Sequence, residues 1–297
     1  VPKLRWPKAT LALPAWVWLL AFFAAPVGLI IWYSFGYKPS IFGTHANDIL
    51  SLDRYAEALS PTFFATFSNT LWVGVVGTLI CLVIGMPVAY WMAVKVPVSK
   101  RGVLIAAIMI PFWTNFLVRT IGWQIILAPQ GWLSQTLQST GLIDGPMEIL
   151  YTRTAVLIGV VYNYLPLMIL PLFVAFDRVG EPLREASKDL GAGRLQTLLR
   201  VTIPIARPGM IAGLLLVYIP LMGDYITATV LGGAKGNMAG QLVASQFQTA
   251  QNWALGSAMA VILILTILLS AAALGLIIWL ATLPFRSHYR LRLGAES

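Results

Sequence analysis

Residues 181–208 read EPLREASKDLGAGRLQTLLRVTIPIARP, a polar, charged stretch set between apolar runs too long for a soluble core. Pro182 suits a first helical position, where its missing N–H would have no partner in any case. Leu183, Ala186, Ser187 and Leu190 recur at i, i+3, i+4 and i+7 and predict one apolar-to-small helical face. Arg184, Glu185, Lys188 and Asp189 are expected on the other side. Gly191 supplies the left-handed stop that ends helices. A second short helix is expected near 194–201, with Leu195, Leu198 and Leu199 on one side. Pro204 and Pro208 then mark entry into the next apolar run. The stretch predicts a helix–turn–helix on a membrane surface, a compact handle that something in water can push.

The rest of the chain supplies the membrane. Of 297 residues, 58% are hydrophobic and only 10% charged, where a soluble domain is about a quarter charged. Six apolar runs of transmembrane length are expected at about 11–35, 67–94, 102–127, 154–176, 205–231 and 255–285. The fold class is therefore an all-α integral membrane protein, a single domain over 1–297 with six transmembrane helices and the handle (181–204) between helices 4 and 5. The third run is expected to break at Pro111, and a short helix at 132–140 to stop at Gly141. No cleavable leader is expected, because the first apolar run is long and lacks a small-residue cleavage site. Cys81, the single cysteine, lies in an apolar run and reads as a small core residue.

Charge sets the orientation. Lys3, Arg5, Lys8, Lys95, Lys100, Arg101, Arg178, Arg184, Lys188, Arg194, Arg200, Arg207, Arg286, Arg290 and Arg292 fall on one side, and Lys38, Arg54, Arg153 and Lys235 on the other. The first side is cytoplasmic by the positive-inside rule, with both termini there. The net charge of +9 is thereby explained without nucleic acid, since the basic residues are scattered between spans.

The handle resembles a signature of ABC importer membrane subunits. Glu185-Ala186-Ser187 is followed after three residues by Gly191, and after nine more by Val201-Thr202-Ile203-Pro204. The family pattern is Glu-Ala-Ala, Gly, then Ile-x-Leu-Pro, so the departures are small changes of volume. The resemblance implies that this loop is a coupling helix, with Leu183, Glu185, Ala186, Ser187, Leu190 and Gly191 docking on a separate ATPase. Three further stretches are similar to the spermidine/putrescine branch: residues 111–120, residues 165–172, and residues 223–227 with 231–233. That branch implies a second homologous permease, a dimer of ATPase subunits and an extracytoplasmic substrate-binding protein. It implies alternating access driven by ATP, in a bacterial inner membrane, with a polyamine as solute. Close relatives move opines and amino-acid-like compounds, and that alternative stands.

No catalytic constellation is visible. His45 and His288 are the only histidines and are far apart in sequence. The glycine-rich residues 231–236 lack the GxxxxGK[ST] spacing of a phosphate loop. The chain is expected to hold no metal or cofactor, with ATP and magnesium bound on the partner ATPase. Two ionisable residues fall within spans, Arg119 and Asp224, and such residues are costly in hydrocarbon unless paired or functional. Each is about 18 residues in, roughly 27 Å. Two readings stand: an Arg119–Asp224 pair that fixes helix packing, or Asp224 on the path as a carboxylate for a cationic solute. Tyr225, Trp113, Asn115, Tyr162 and Asn163 complete the candidate path, beside prolines at 111, 166, 171 and 220 that free backbone carbonyls. An ion-coupled secondary transporter would want inverted repeats and a carboxylate relay. A single acid within the spans disfavours it.

Overall fold

The computed structural model describes residues 12–282. Lys3, Arg5, Lys8, the last residues of the expected sixth span (283–285), Arg286, His288, Arg290 and Arg292 lie outside the described residues. The rest is helical, apart from turns and one isolated antiparallel bridge between Tyr37 and Ala46. The helices are α1 Leu13–Tyr33, α2 Asp53–Ala58, α3 Pro61–Val94, α4 Val98–Trp113, α5 Phe116–Leu127 and α6 Trp132–Ser139. They continue with α7 Arg153–Arg178, α8 Glu181–Asp189, α9 Arg194–Met222, α10 Ala239–Gln248 and α11 Trp253–Thr282. Five of these helices are long and apolar enough to cross a membrane. A broken pair, Val98–Trp113 and Phe116–Ser139, passes the same test of length and apolarity when taken together; its halves meet at 84°, and it brings the number of crossings to six where it counts as one span.

The described residues form two compact units, 12–66 with 242–265, and 67–241 with 266–282. In the first, the loop after α1 is folded back at the Tyr37–Ala46 bridge. Lys38 Nζ donates to the Ala250 carbonyl at 2.7 Å. The Trp253 N–H donates to the Thr44 carbonyl at 3.1 Å, and the Tyr33 ring stacks on His45 at 3.9 Å.

In the second unit α7 is the central post. Its Val156, Val160, Met168, Leu172 and Phe176 are buried with Leu214, Val217 and Leu221 of α9 and Val73, Cys81, Ala89 and Met92 of α3. Lipid tails are as apolar as leucine, so close contact rather than water exclusion must hold such helices together. Glycines provide it. A Cβ at Gly209 would collide with the Ala175 Cβ and stand 3.0 Å from the Pro171 carbonyl oxygen. At Gly77 it would stand 3.2 Å from Leu221 and 3.3 Å from Val160.

The prolines do not break the helices that hold them. α3 runs through Pro87, α4 through Pro111, α7 through Pro166 and Pro171, and α9 through Pro204, Pro208 and Pro220. One missing N–H costs one bond, and neighbouring helices keep the rest in place. The third run breaks at Thr114–Asn115, not at Pro111. There Thr114 turns extended (ψ 153°) and Asn115 caps a new helix by accepting from the N–H groups of Leu117 and Val118. The fifth run also departs from expectation. It starts at Arg194 and absorbs the short second helix through a π-turn, Leu198–Thr202, just before Pro204. It then stops at Met222, well short of residue 231.

Gly209→Val is expected to destabilise the solubilised protein by about 1–3 kcal/mol through overpacking between α7 and α9. Gly122→Ala, within a helix and meeting nothing within 4 Å, is expected to hold stability or raise it by up to about 1 kcal/mol. Thermal unfolding in detergent, followed by intrinsic fluorescence, checks the contrast.

Candidate functional site

The handle is α8 and the turn that follows it. Gly180 enters it at φ +70°, and Pro182 sits in the first turn. At its other end Gly191 takes φ +84°. The Gly191 N–H donates to the Lys188 carbonyl at 2.8 Å and the Ala192 N–H to the Ser187 carbonyl at 3.1 Å. Those two bonds are a Schellman stop. Ser187 Oγ and Thr197 Oγ1 share a hydrogen bond of 3.1 Å, which pins α8 to the start of α9.

The faces of α8 are disposed differently from the expected split. Arg184, expected on the solvent side, is buried, and its Nη1 donates to the Phe176 carbonyl in the last turn of α7, a long bond of 3.5 Å. Glu185 and Ala186 are exposed. Leu183 is 50% exposed and Leu190 89%. Leu195 and Leu199 on the next turns are exposed as well. Arg184 is long enough to bury its stem and satisfy a terminal carbonyl with its head, whereas Leu183 stays half exposed and Leu190 almost fully so.

The candidate path residues are arranged around two helix breaks. Asp224 is 6% exposed and caps the turn that restarts after Gly223. Its Oδ1 accepts from the Thr227 N–H at 3.0 Å and its Oδ2 from Thr227 Oγ1 at 2.6 Å. Asn115 does the same work at the other break. Arg119 makes no ion pair with Asp224 among the described residues. Its guanidinium lies over the rings of Phe112 and Phe116, 5.3 and 5.5 Å from their centroids, a cation–π arrangement suited to a charge held away from water. Tyr164 connects the two breaks: its ring lies 6.1 Å from that of Phe116, and its hydroxyl donates to the Pro220 carbonyl at 3.4 Å. Asn163 is buried and its amide donates to Thr120 Oγ1 at 3.2 Å, while its Oδ1 has no partner. Tyr162 packs edge-on against Trp123 at 5.4 Å. Trp113, Asn115, Tyr162 and Tyr225 are exposed on this chain.

The fold and the sequence find clear relatives. The family described as "Binding-protein-dependent transport system inner membrane component" matches residues 7–283. The chain belongs to this family. The spermidine/putrescine transport system permease protein PotB of Escherichia coli K12 is 38% identical over 246 residues, which cover 83% of this chain and 88% of that protein. PotB of Haemophilus influenzae is 37% identical over 257 residues, covering 86% and 88%. A bacterial ABC transporter that imports alginate shares the fold, with a TM-score of 0.73 at 15% identity over 90% of this chain and 93% of that one. The MetNI methionine ABC transporter aligns with a TM-score of 0.54 at 20% identity over 74% and 97%. The chain is thus a non-catalytic, multi-pass permease component of an inner-membrane transport system, and its helical architecture is that of ABC importer permeases.

The structure adds residues to this permease that sequence reading passed over. A recess of about 420 Å³ is lined by Pro129, Glu148, Leu150, Tyr151, Thr152, Ala234 and Lys235. Tyr151 on its wall takes φ +63°, rare for a bulky residue, and is held there by its N–H donating to the Leu231 carbonyl at 2.9 Å. Tyr164 was legible only as one aromatic among several. Its value comes from a helix packing that no local pattern encodes.

Because Asp224 caps a helix, its two roles separate by substitution. Asp224→Asn keeps a good capping side chain and is expected to keep the thermal unfolding temperature close to that of the parent. Asp224→Ala is expected to lose about 0.5–2 kcal/mol, the usual cost of removing such a cap. Equal loss in both variants would show that charge, not capping, holds the break.

Proposed function

We propose that this permease forms, with a second homologous permease, the path of an ATP-driven importer for a polyamine such as spermidine or putrescine. A substrate-binding protein delivers the solute on the outer side. A pair of ATPase subunits docks on the handle, and ATP with its magnesium binds there rather than on this chain. The handle and the segments beyond the first and last spans face the cytoplasm, as the Lys and Arg distribution favours. The observation that carries the docking role is the exposed row Leu183, Ala186 and Leu190 beside Glu185, on a helix fixed from beneath by Arg184. A mobile amphipathic loop would turn its leucines inward. This one is locked by a Schellman stop with its leucines out, a small apolar patch of the kind that marks an interface.

The polyamine assignment is supported by the similarity to the PotB proteins and by the chemistry of the candidate path: the Asp224 carboxylate with Tyr225, Trp113 and Tyr162 as aromatic surface, and Asn115 and Asn163 as polar groups. Aromatic faces and a carboxylate suit a flexible polycation. Arg119, stacked on its two phenyl rings, would then keep Asp224 from being a lone charge without neutralising it by direct contact.

Leu190→Asp tests the docking role. The side chain packs on nothing in this chain, so folding is expected to be intact. Loss of ATPase co-purification and a fall in uptake of at least about tenfold are expected, as for a hot-spot residue worth over 1 kcal/mol. Normal uptake with the ATPase retained would overturn the reading. Uptake of labelled putrescine in competition with spermidine and with neutral amino acids tests the solute class. Competition by polyamines alone is expected.

A further inference from the structure

Two arginines grip adjacent residues at the end of α7. From the handle, Arg184 reaches the Phe176 carbonyl. From α4, Arg101 forms an ion pair with the Asp177 carboxylate through Nη1. The same guanidinium reaches back to the end of α3, where Nη2 donates to the Ala93 carbonyl at 2.8 Å and Nε to the Val96 carbonyl at 3.0 Å. Ala93 lies in the last turn of α3, whose carbonyls have no intrahelical partner. One planar fork thus joins the end of α3, the start of α4 and the end of α7, a task for which a lysine's single ammonium would not serve.

Asp177 sits where helix physics disfavours it. A carboxylate in the last turn of α7 faces the negative end of the helix dipole. Its partner offsets that, yet the pair is not there for stability. Asp177 is half exposed, and exposed ion pairs add little to stability. The unusual placement is better explained by geometry. Asp177 adjoins Phe176, whose carbonyl accepts from Arg184, so a displacement of the handle reaches Asp177 through that bond as well as along the chain through Gly180.

We propose that Arg101 and Asp177 form a strut that makes α4 move with the handle. Arg101 is a positioning residue: it carries displacement of α8 into the base of α4. α4 is 16 residues long, about 24 Å, and ends at the Thr114–Asn115 bend. Beyond that bend lie Asn115 and, one turn on, Arg119. A push at one end of α4 therefore turns the candidate path residues at the other. The strut rests on the docking role proposed for the handle and adds the route by which that push reaches the path.

The test uses the whole assembly, this permease with its companion permease, ATPase pair and binding protein, in proteoliposomes. Asp177→Asn and Arg101→Gln are expected to assemble and hydrolyse ATP, but to move at least about fivefold less solute per ATP, the low end of a typical coupling energy. Asp177→Glu, which keeps the carboxylate, is expected to restore the ratio. Arg101→Gln also empties the Ala93 and Val96 carbonyls, so Asp177→Asn, which leaves those bonds alone, decides the matter should Arg101→Gln fail to assemble. A second readout is independent of stability. Spin labels at Lys100→Cys and Lys188→Cys, in a Cys81→Ala background, are expected to hold their separation when ATP binds. With Asp177→Asn added, the separation is expected to change with nucleotide. Unchanged solute per ATP in Asp177→Asn, or a label separation that responds to ATP alike with and without Asp177→Asn, overturns the strut. If Leu190→Asp loses the ATPase while Asp177→Asn transports normally, only the strut falls. If Leu190→Asp keeps both ATPase and uptake, the docking role falls and takes the strut with it.

Discussion

A backbone N–H or C=O left unpaired in hydrocarbon costs several kcal/mol, and no water is there to relieve it. Every break in a spanning helix must therefore bring its own hydrogen-bond partners. Among the described residues two such breaks, at Thr114–Asn115 and at Gly223–Asp224, follow the same rule. At Thr114–Asn115 the Thr114 hydroxyl donates to the Pro111 carbonyl at 2.6 Å, and the Asn115 carbonyl oxygen accepts from two N–H groups of the helix that follows. At Gly223–Asp224 the carboxylate takes the Thr227 N–H and hydroxyl. The polar side chains that stand out within the spans serve the backbone first. Whatever a solute meets at these bends is arranged by that prior demand.

The same constraint explains why Asp224 and Arg119 stay apart. A carboxylate in hydrocarbon seeks donors, and Asp224 finds them three residues away at no cost in chain entropy. Arg119 has no acid left to meet and settles over two phenyl rings, where its charge is held by polarised faces instead. Its Nε remains without a partner. Tyr164 is buried beside the second break, where its hydroxyl donates to the Pro220 carbonyl at 3.4 Å.

How far the sequence revealed this varied with the range of the interaction. Glycines that end helices were readable, since a left-handed φ is a local property: Gly141 and Gly191, both expected as stops, take positive φ, while Gly180 and Gly233 do so without having been singled out. The apolar runs were readable as spans because length and composition decide them. Pro111 misled, because one lost hydrogen bond is less than a continuous helix packed on its neighbours can absorb. The true break four residues later needed the Asn115 side chain, whose capping role depends on the chain already turning there. Arg184 misled for a different reason. An amphipathic wheel assigns charge to water, but a helix standing over the open carbonyls of another helix wants a donor beneath it. Arg101 and Asp177 are 76 residues apart in sequence, and no periodicity links them.

Helix α1 closes the argument about what the chain is for. None of its residues is buried within the chain, although Leu13–Tyr33 is as apolar as the packed helices. In water that would be ruinous, but lipid tails accept leucine and valine as readily as another helix does. Packing within the chain therefore does nothing to hold α1, which is fixed at its end by the loop that follows, through Tyr33 on His45, Lys38 on Ala250 and Thr44 on Trp253. The exposed Trp113, Val118 and Ile125 around the first bend are in the same position, apolar and without a partner in this chain. Each surface is apolar and in contact with lipid wherever no partner protein covers it, and a bilayer accepts both without cost.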